Sequence, residues 1–122
     1  MTVRPPRILD ATAIVGFFHD NRRLFRLRQM ADEGKLQLVF PTTAIAEAQA
    51  VIDHSFHSWY ALIEGDNVRS VGLAEHAAIE CGTWPGSLVV RHVAYEARAM
   101  RGVVVTCDRT LYKDYDLDVH VL

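Results

Sequence analysis

"KLQLVFPTTAIAEAQAV", residues 35–51, decides the fold. "LQLVF" reads as a short buried strand, Pro41 breaks it, and Thr42 or Thr43 caps a helix that runs to about Ile52. A strand that passes directly into a helix cannot be half of a tight hairpin, so it must cross over to a parallel neighbour. The same helix sets one carboxylate, Glu47, among small apolar residues.

Outward from there the pattern repeats. Upstream, "RILD" is an apolar run ending in Asp10, and "ATAIVGFF" reads as helix with Thr12 near its start. Asp20 or Asn21 then caps "NRRLFRLRQMADEG", in which Leu24, Leu27, Met30 and Ala31 share one face. Arg22, Arg23, Arg26 and Arg28 face water, and Gly34 ends the helix. Downstream, "HSFHSWYALIEG" is a short helix stopped by Gly65, and "NVRSVGL" is a strand. "AEHAAIECG" is a helix with a glycine stop, and Pro85-Gly86-Ser87 punctuates. "LVVRHVAYEARAMRG" is a long helix, "VVVT" a strand, and "DVHVL" closes the chain as a last strand. Helices between short strands predict a three-layer α/β/α domain with five mostly parallel strands.

The chain has 122 residues, half of them apolar, enough for one domain with a core and too few for two. A net charge of -2 excludes a strongly basic nucleic-acid clamp. The N-terminal "MTVRPPRILD" lacks the apolar run of a signal peptide, and no stretch is long enough to span a membrane. A soluble, cytoplasmic protein is expected. Cys81 and Cys107 lack any metal-binding companion pattern and are expected to be buried and reduced. His54 and His57 have i, i+3 spacing but no further ligand nearby, which disfavours zinc. There is no Walker loop, G-x-G-x-x-G, G-x-S-x-G or H-E-x-x-H. A haloacid-dehalogenase-like phosphatase would need a second Asp at Thr12, and a receiver domain would need paired acids and a late Lys.

In parallel sheets, ligands bind beyond the carboxyl ends of the strands near the switch in strand order. Three acids fall at that rim: Asp10 after the first strand, Glu47 past the second, and Asp108 two residues after "VVVT". Carboxylates brought together repel unless a cation lies among them, and hard oxygen ligands suit Mg2+ or Mn2+.

"RILDATAIVGFF", "FPTTAIAEA" and "RGVVVTCDRTLY" resemble, in order and spacing, three stretches of PIN domains, the small metal-dependent ribonuclease fold that includes VapC-type toxins. The likeness covers nearly the whole chain. It matches Asp10 and Thr12 to the family's Asp-x-Ser/Thr, Glu47 to its helical Glu, and Thr106 and Asp108 to its Thr-x-Asp. What it implies is a ribonuclease in which Asp10, Glu47 and Asp108 hold Mg2+ or Mn2+ and a metal-bound water cleaves RNA. Thr12 and Thr106 would support those acids. Arg22, Arg23, Arg91 and Arg109, with Lys113, would meet phosphates. It also implies a homodimer and an antitoxin protein encoded beside the gene.

One match is missing. The family carries a further Asp near the start of the long helix, where this chain has Val90, Arg91 and His92; His92 is the nearest polar stand-in, with Glu96 one turn on. The alternative reading is therefore a catalytically degenerate PIN-like module that binds protein or RNA without cutting it.

Overall fold

The computed structural model describes residues 4–122, so the first three residues of "MTVRPPRILD" lie outside it. Strand β1 (Arg7–Leu9) leads into helices α1 (Ala11–Phe18) and α2 (Arg22–Asp32), and β2 (Leu38–Pro41) into α3 (Thr42–Ile52) and α4 (Phe56–Ile63). β3 (Val68–Val71) is followed by α5 (Glu75–Cys81) and α6 (Leu88–Met100). β4 (Val103–Thr106), a 3-10 helix (Arg109–Tyr112) and β5 (Val119–Val121) complete the chain.

The strands lie in the order β3-β2-β1-β4-β5, and every pairing is parallel. Register pairs Ile8 with Val39 on one side and with Val104 on the other. Because side chains alternate along a strand, each central strand feeds two cores. Leu9, Leu38, Phe40 and Val105 point to α1–α4, where Ile14, Leu24, Leu27, Trp59 and Leu62 are buried. Ile8, Val39 and Val104 point the other way, to Val90, Val93 and Ala97 of α6 and to Tyr112. Both faces are covered, which is why the strands read as continuous apolar runs rather than as alternating ones.

Local chemistry explains most of the element ends. Asn21, not Asp20, caps α2 by accepting from the Arg23 and Leu24 amides, while Asp20 takes a left-handed φ of 64° in the preceding turn. Ser55 caps α4 and Ser87 caps α6. Gly34, with φ of 73°, follows the end of α2.

Three expectations are corrected. Pro41 does not break the strand: it is the last residue of β2 and the cap position of α3, and neither Thr42 nor Thr43 caps by its side chain. A proline there has no amide to leave unpaired and carries extended backbone straight into the helix. Arg28 does not face water; its guanidinium donates to Leu62 O at 2.8 Å, to Glu64 O and to Asp32, tying α2 to the end of α4. Cys81 is buried but Cys107 is exposed, because it falls one residue past the end of β4. Among the described residues no helix is long and apolar enough to cross a membrane.

Candidate functional site

The order β3-β2-β1-β4-β5 puts the switch in strand order between β1 and β4, the place where crevices open in such sheets. A cleft of about 440 Å3 lies at that end. Its walls come from the β1–α1 junction (Asp10, Ala11, Thr12), α3 (Thr43, Ala46, Glu47), the start of α6 (Ser87 to Val90) and the 3-10 helix (Leu111, Tyr112). The volume suits a small ligand or a few side chains. Its lining contains no Lys, Arg or His.

Asp10 is almost fully buried, at 1% exposure. Its Oδ1 accepts from Thr12 Oγ1 at 2.7 Å and from the Ala13 amide at 3.0 Å, the second bond making it the cap of α1. Its Oδ2 accepts from Thr106 Oγ1 at 2.6 Å and from the Tyr112 hydroxyl at 2.9 Å. A carboxylate offers about four acceptor positions, and here four donors take them. Each threonine has one hydroxyl proton and gives it to Asp10; each then accepts a backbone amide from the turn after β4. Cys107 N donates to Thr12 Oγ1 at 2.9 Å, and Asp108 N to Thr106 Oγ1 at 3.1 Å. The Asp-x-Thr and Thr-x-Asp pairs therefore form a staple between the ends of β1 and β4 that is complete without an ion.

Tyr112 completes this arrangement, and the sequence reading missed it. Burial, followed by the nearby Asp10 charge, raises its phenol far above the ordinary value, so it stays a proton donor to Asp10. The available signal was its position four residues after Asp108, closing the stretch "RGVVVTCDRTLY". Cys107, beside Asp10, is likewise held above the ordinary thiol value, by desolvation first and then by that charge.

The other expected ligands separate. Glu47 is exposed and lines the cleft. Asp108 does not line it: its Oδ1 accepts from the Thr110 amide and hydroxyl, capping the 3-10 helix. Where the family's further acid would stand, Val90 packs into the core and lines the cleft. Arg91 turns away and donates to Gly82 O at 2.7 Å. His92 is completely buried, with Nδ1 2.6 Å from Thr43 Oγ1 and Nε2 3.6 Å from Glu96 Oε1. Burial lowers the His92 pKa, against an opposing backbone interaction with Gly72, and raises that of Glu96, against the pull of Arg69. His92 thus braces Thr43, one wall of the cleft, from behind.

Asp10 accepts from four protein donors, one oxygen of Asp108 accepts from Thr110, and Val90 lines the cleft where the family's further acid would stand. Among the described residues no group of three or more His, Cys, Asp or Glu side chains could hold an ion. Of the expected triad, Asp10 and Glu47 line one cleft, with only Glu47 of the two exposed, while Asp108 caps the 3-10 helix beside it. The arginines expected to meet RNA also lie off the cleft. Arg109 donates to Val119 O at 3.4 Å, and Arg22 and Arg23 sit at the exposed start of α2.

Comparison with solved structures matches the chain to one in the crystal structure of VapBC2 from Rickettsia felis bound to a DNA fragment from their promoter. The TM-score is 0.70 at 11% sequence identity, over 95% of this chain and 98% of that one. The chain therefore shares that chain's α/β fold, with an all-parallel five-stranded sheet consistent with a PIN-like domain. No protein-family model matches the sequence, and no curated protein matches it as a relative.

Proposed function

We propose that the chain is a PIN-like module of the VapC toxin kind whose acidic centre is degenerate, and that its cleft receives a segment of a protein partner rather than cutting RNA. The observation that carries this is the Asp10 carboxylate, with all four acceptor positions filled by Thr12, Ala13, Thr106 and Tyr112. Stripping those donors to admit an ion would orphan buried hydroxyls, each at about 1–3 kcal/mol.

The chemistry of the cleft supports a polypeptide. Leu88, Val89, Val90 and Leu111 offer apolar surface, and Glu47 is an exposed anion without a cation beside it in the lining. A phosphodiester brought there would meet like charge; a peptide carrying an apolar residue next to a Lys or Arg would not. The structural neighbour, VapBC2, is described as bound to promoter DNA, and by analogy the proposed partner is an antitoxin protein encoded beside the gene. A homodimer is the proposed assembly, to be checked by light scattering.

Ribonuclease activity is the second reading. It is favoured by one observation, that Asp10, Thr12 and Glu47 share a cleft at the carboxyl end of the sheet. Under it Mg2+ or Mn2+ is the cofactor and RNA the substrate. One experiment separates the two: calorimetric titration with each ion to millimolar concentration, alongside cleavage of total RNA. The proposed reading expects no ion binding and no cleavage, and complex formation with the adjacent gene product that Glu47→Lys abolishes. Metal-dependent cleavage lost in Asp10→Asn overturns it.

A further inference from the structure

A second surface, away from the cleft, is built against the local electrostatics. Arg22, Arg23 and Arg26 rim a groove whose floor is Leu27 and Met30 and whose opposite wall is His120 of β5, the edge strand. Its volume is about 370 Å3. Positions 22, 23, 26, 27 and 30 recur at helical spacing, so the three guanidiniums share one exposed stripe of α2.

That arrangement is unfavourable in the isolated chain. Arg22 and Arg23 occupy the first turn of α2, where the helix dipole favours anions and disfavours cations by about 0.3–1 kcal/mol each. Arg26 lies four residues from Arg22 and three from Arg23, spacings at which like charges repel by about 0.2–0.5 kcal/mol per pair. Arg26 has partners in Glu33 at 3.6 Å and Gln29 at 3.2 Å. Among the described residues the ion pairs are those of Arg26, Arg28, Lys35, His76 and His92, which leaves Arg22 and Arg23 without a carboxylate. The whole chain is mildly acidic, with a net charge of -2, so the cluster is a local feature rather than overall composition. Two cations placed against the helix dipole with no carboxylate of their own point outward.

We propose that this arginine-rimmed groove docks an acidic, amphipathic segment of a protein partner: Asp or Glu carboxylates pair with Arg22 and Arg23 while an intervening aliphatic side chain covers Leu27 and Met30. Guanidinium forks match carboxylates in bidentate geometry. The floor is aliphatic, and none of the lining residues is a Phe, Tyr or Trp on which a base could stack, which favours a peptide over single-stranded RNA. The proposal rests on α2 and β5 alone and stands whatever the cleft binds.

The test uses the full chain and fluorescence anisotropy with three labelled probes: a peptide alternating Glu and Leu, the same peptide with Lys for Glu, and oligouridylate. The Glu/Leu peptide binds, more weakly at higher salt, and the other two do not. The double variant R22E/R23E loses at least about tenfold in affinity, whereas K113E, at an exposed lysine outside the groove, leaves it unchanged. R22E/R23E also melts no lower than the parent, since acids suit that helix end, so its loss of binding is not a loss of fold. The proposal is overturned by equal peptide binding in R22E/R23E, by absence of peptide binding, or by oligouridylate binding through the same arginines. It is also overturned if light scattering shows that those arginines hold two copies of this chain together.

Discussion

Replacing Asp10 tests whether this residue is a structural hub or an available ligand. Asp10→Ala removes the cap of α1, worth about 1 kcal/mol. It also leaves Thr106, completely buried, and Tyr112, at 2% exposure, without the acceptor their hydroxyls now use. Buried donors left unmet cost about 1–3 kcal/mol each, so with the cap the sum is about 3–7 kcal/mol, a large part of the roughly 5–15 kcal/mol that holds a domain of ordinary stability. Asp10→Asn keeps an oxygen for Thr12 and the Ala13 amide but turns an NH2 toward Thr106 and Tyr112, whose hydroxyls must reorient. Its cost is smaller, about 1–2 kcal/mol. Urea denaturation followed by circular dichroism measures both, with the slope unchanged if the denatured state is unaffected. Two results refute the reasoning. One is an Asp10→Ala protein within about 0.5 kcal/mol of the parent, the range of a neutral surface change. The other is a parent stabilised by millimolar Mn2+ while Asp10→Asn is not, since an ion at a hundred times its Kd adds about 2.7 kcal/mol and would show the carboxylate to be free.

Other perturbations follow from the same contacts. Glu47→Gln, on an exposed side chain of the cleft, leaves the urea midpoint within about 0.5 kcal/mol of the parent while weakening capture of a basic partner segment, read by anisotropy. Glu96→Gln alters pH dependence: burial raises the Glu96 pKa, so above about pH 4.3 the unfolded chain releases its proton first and the parent loses stability as pH rises. The variant escapes that loss, and its advantage over the parent grows with pH until the raised folded pKa is passed. His92→Gln acts at the other end. The lowered His92 pKa contributes stability that is full above about pH 6.5 and lost as pH falls toward the folded value, so the variant shows a blunted acid decline in midpoints measured across that range. Arg28→Lys costs about 1–2 kcal/mol in the same denaturation assay, because one ammonium cannot span Leu62 O, Glu64 O and Asp32 together. Gly102→Ala places a Cβ against Ile8 Cδ1 and 2.8 Å from Pro6 O; with backbone on one side the overpacking costs about 1–3 kcal/mol.

The amino-acid sequence by itself determined the layers of this protein. Short apolar runs at 8–9, 38–40 and 103–105, separated by amphipathic helices, admit only crossover connections and hence a parallel sheet covered on both faces. It also determined that Asp10 and Thr12 emerge beside Thr106, since residues following adjacent parallel strands emerge at one edge. What those residues do there was decided only by tertiary structure. Periodicity reports which face a residue is on, not which atoms fill its lone pairs, so the donation of Thr12, Thr106 and Tyr112 to one carboxylate was invisible along the chain. Likewise Arg28 reads as a solvent-facing helix charge until the end of α4, 34 residues away, supplies the carbonyl that draws it in. Local pattern is fixed by the chain's short-range geometry; the saturation of a buried polar group depends on partners that only folding brings within hydrogen-bond reach.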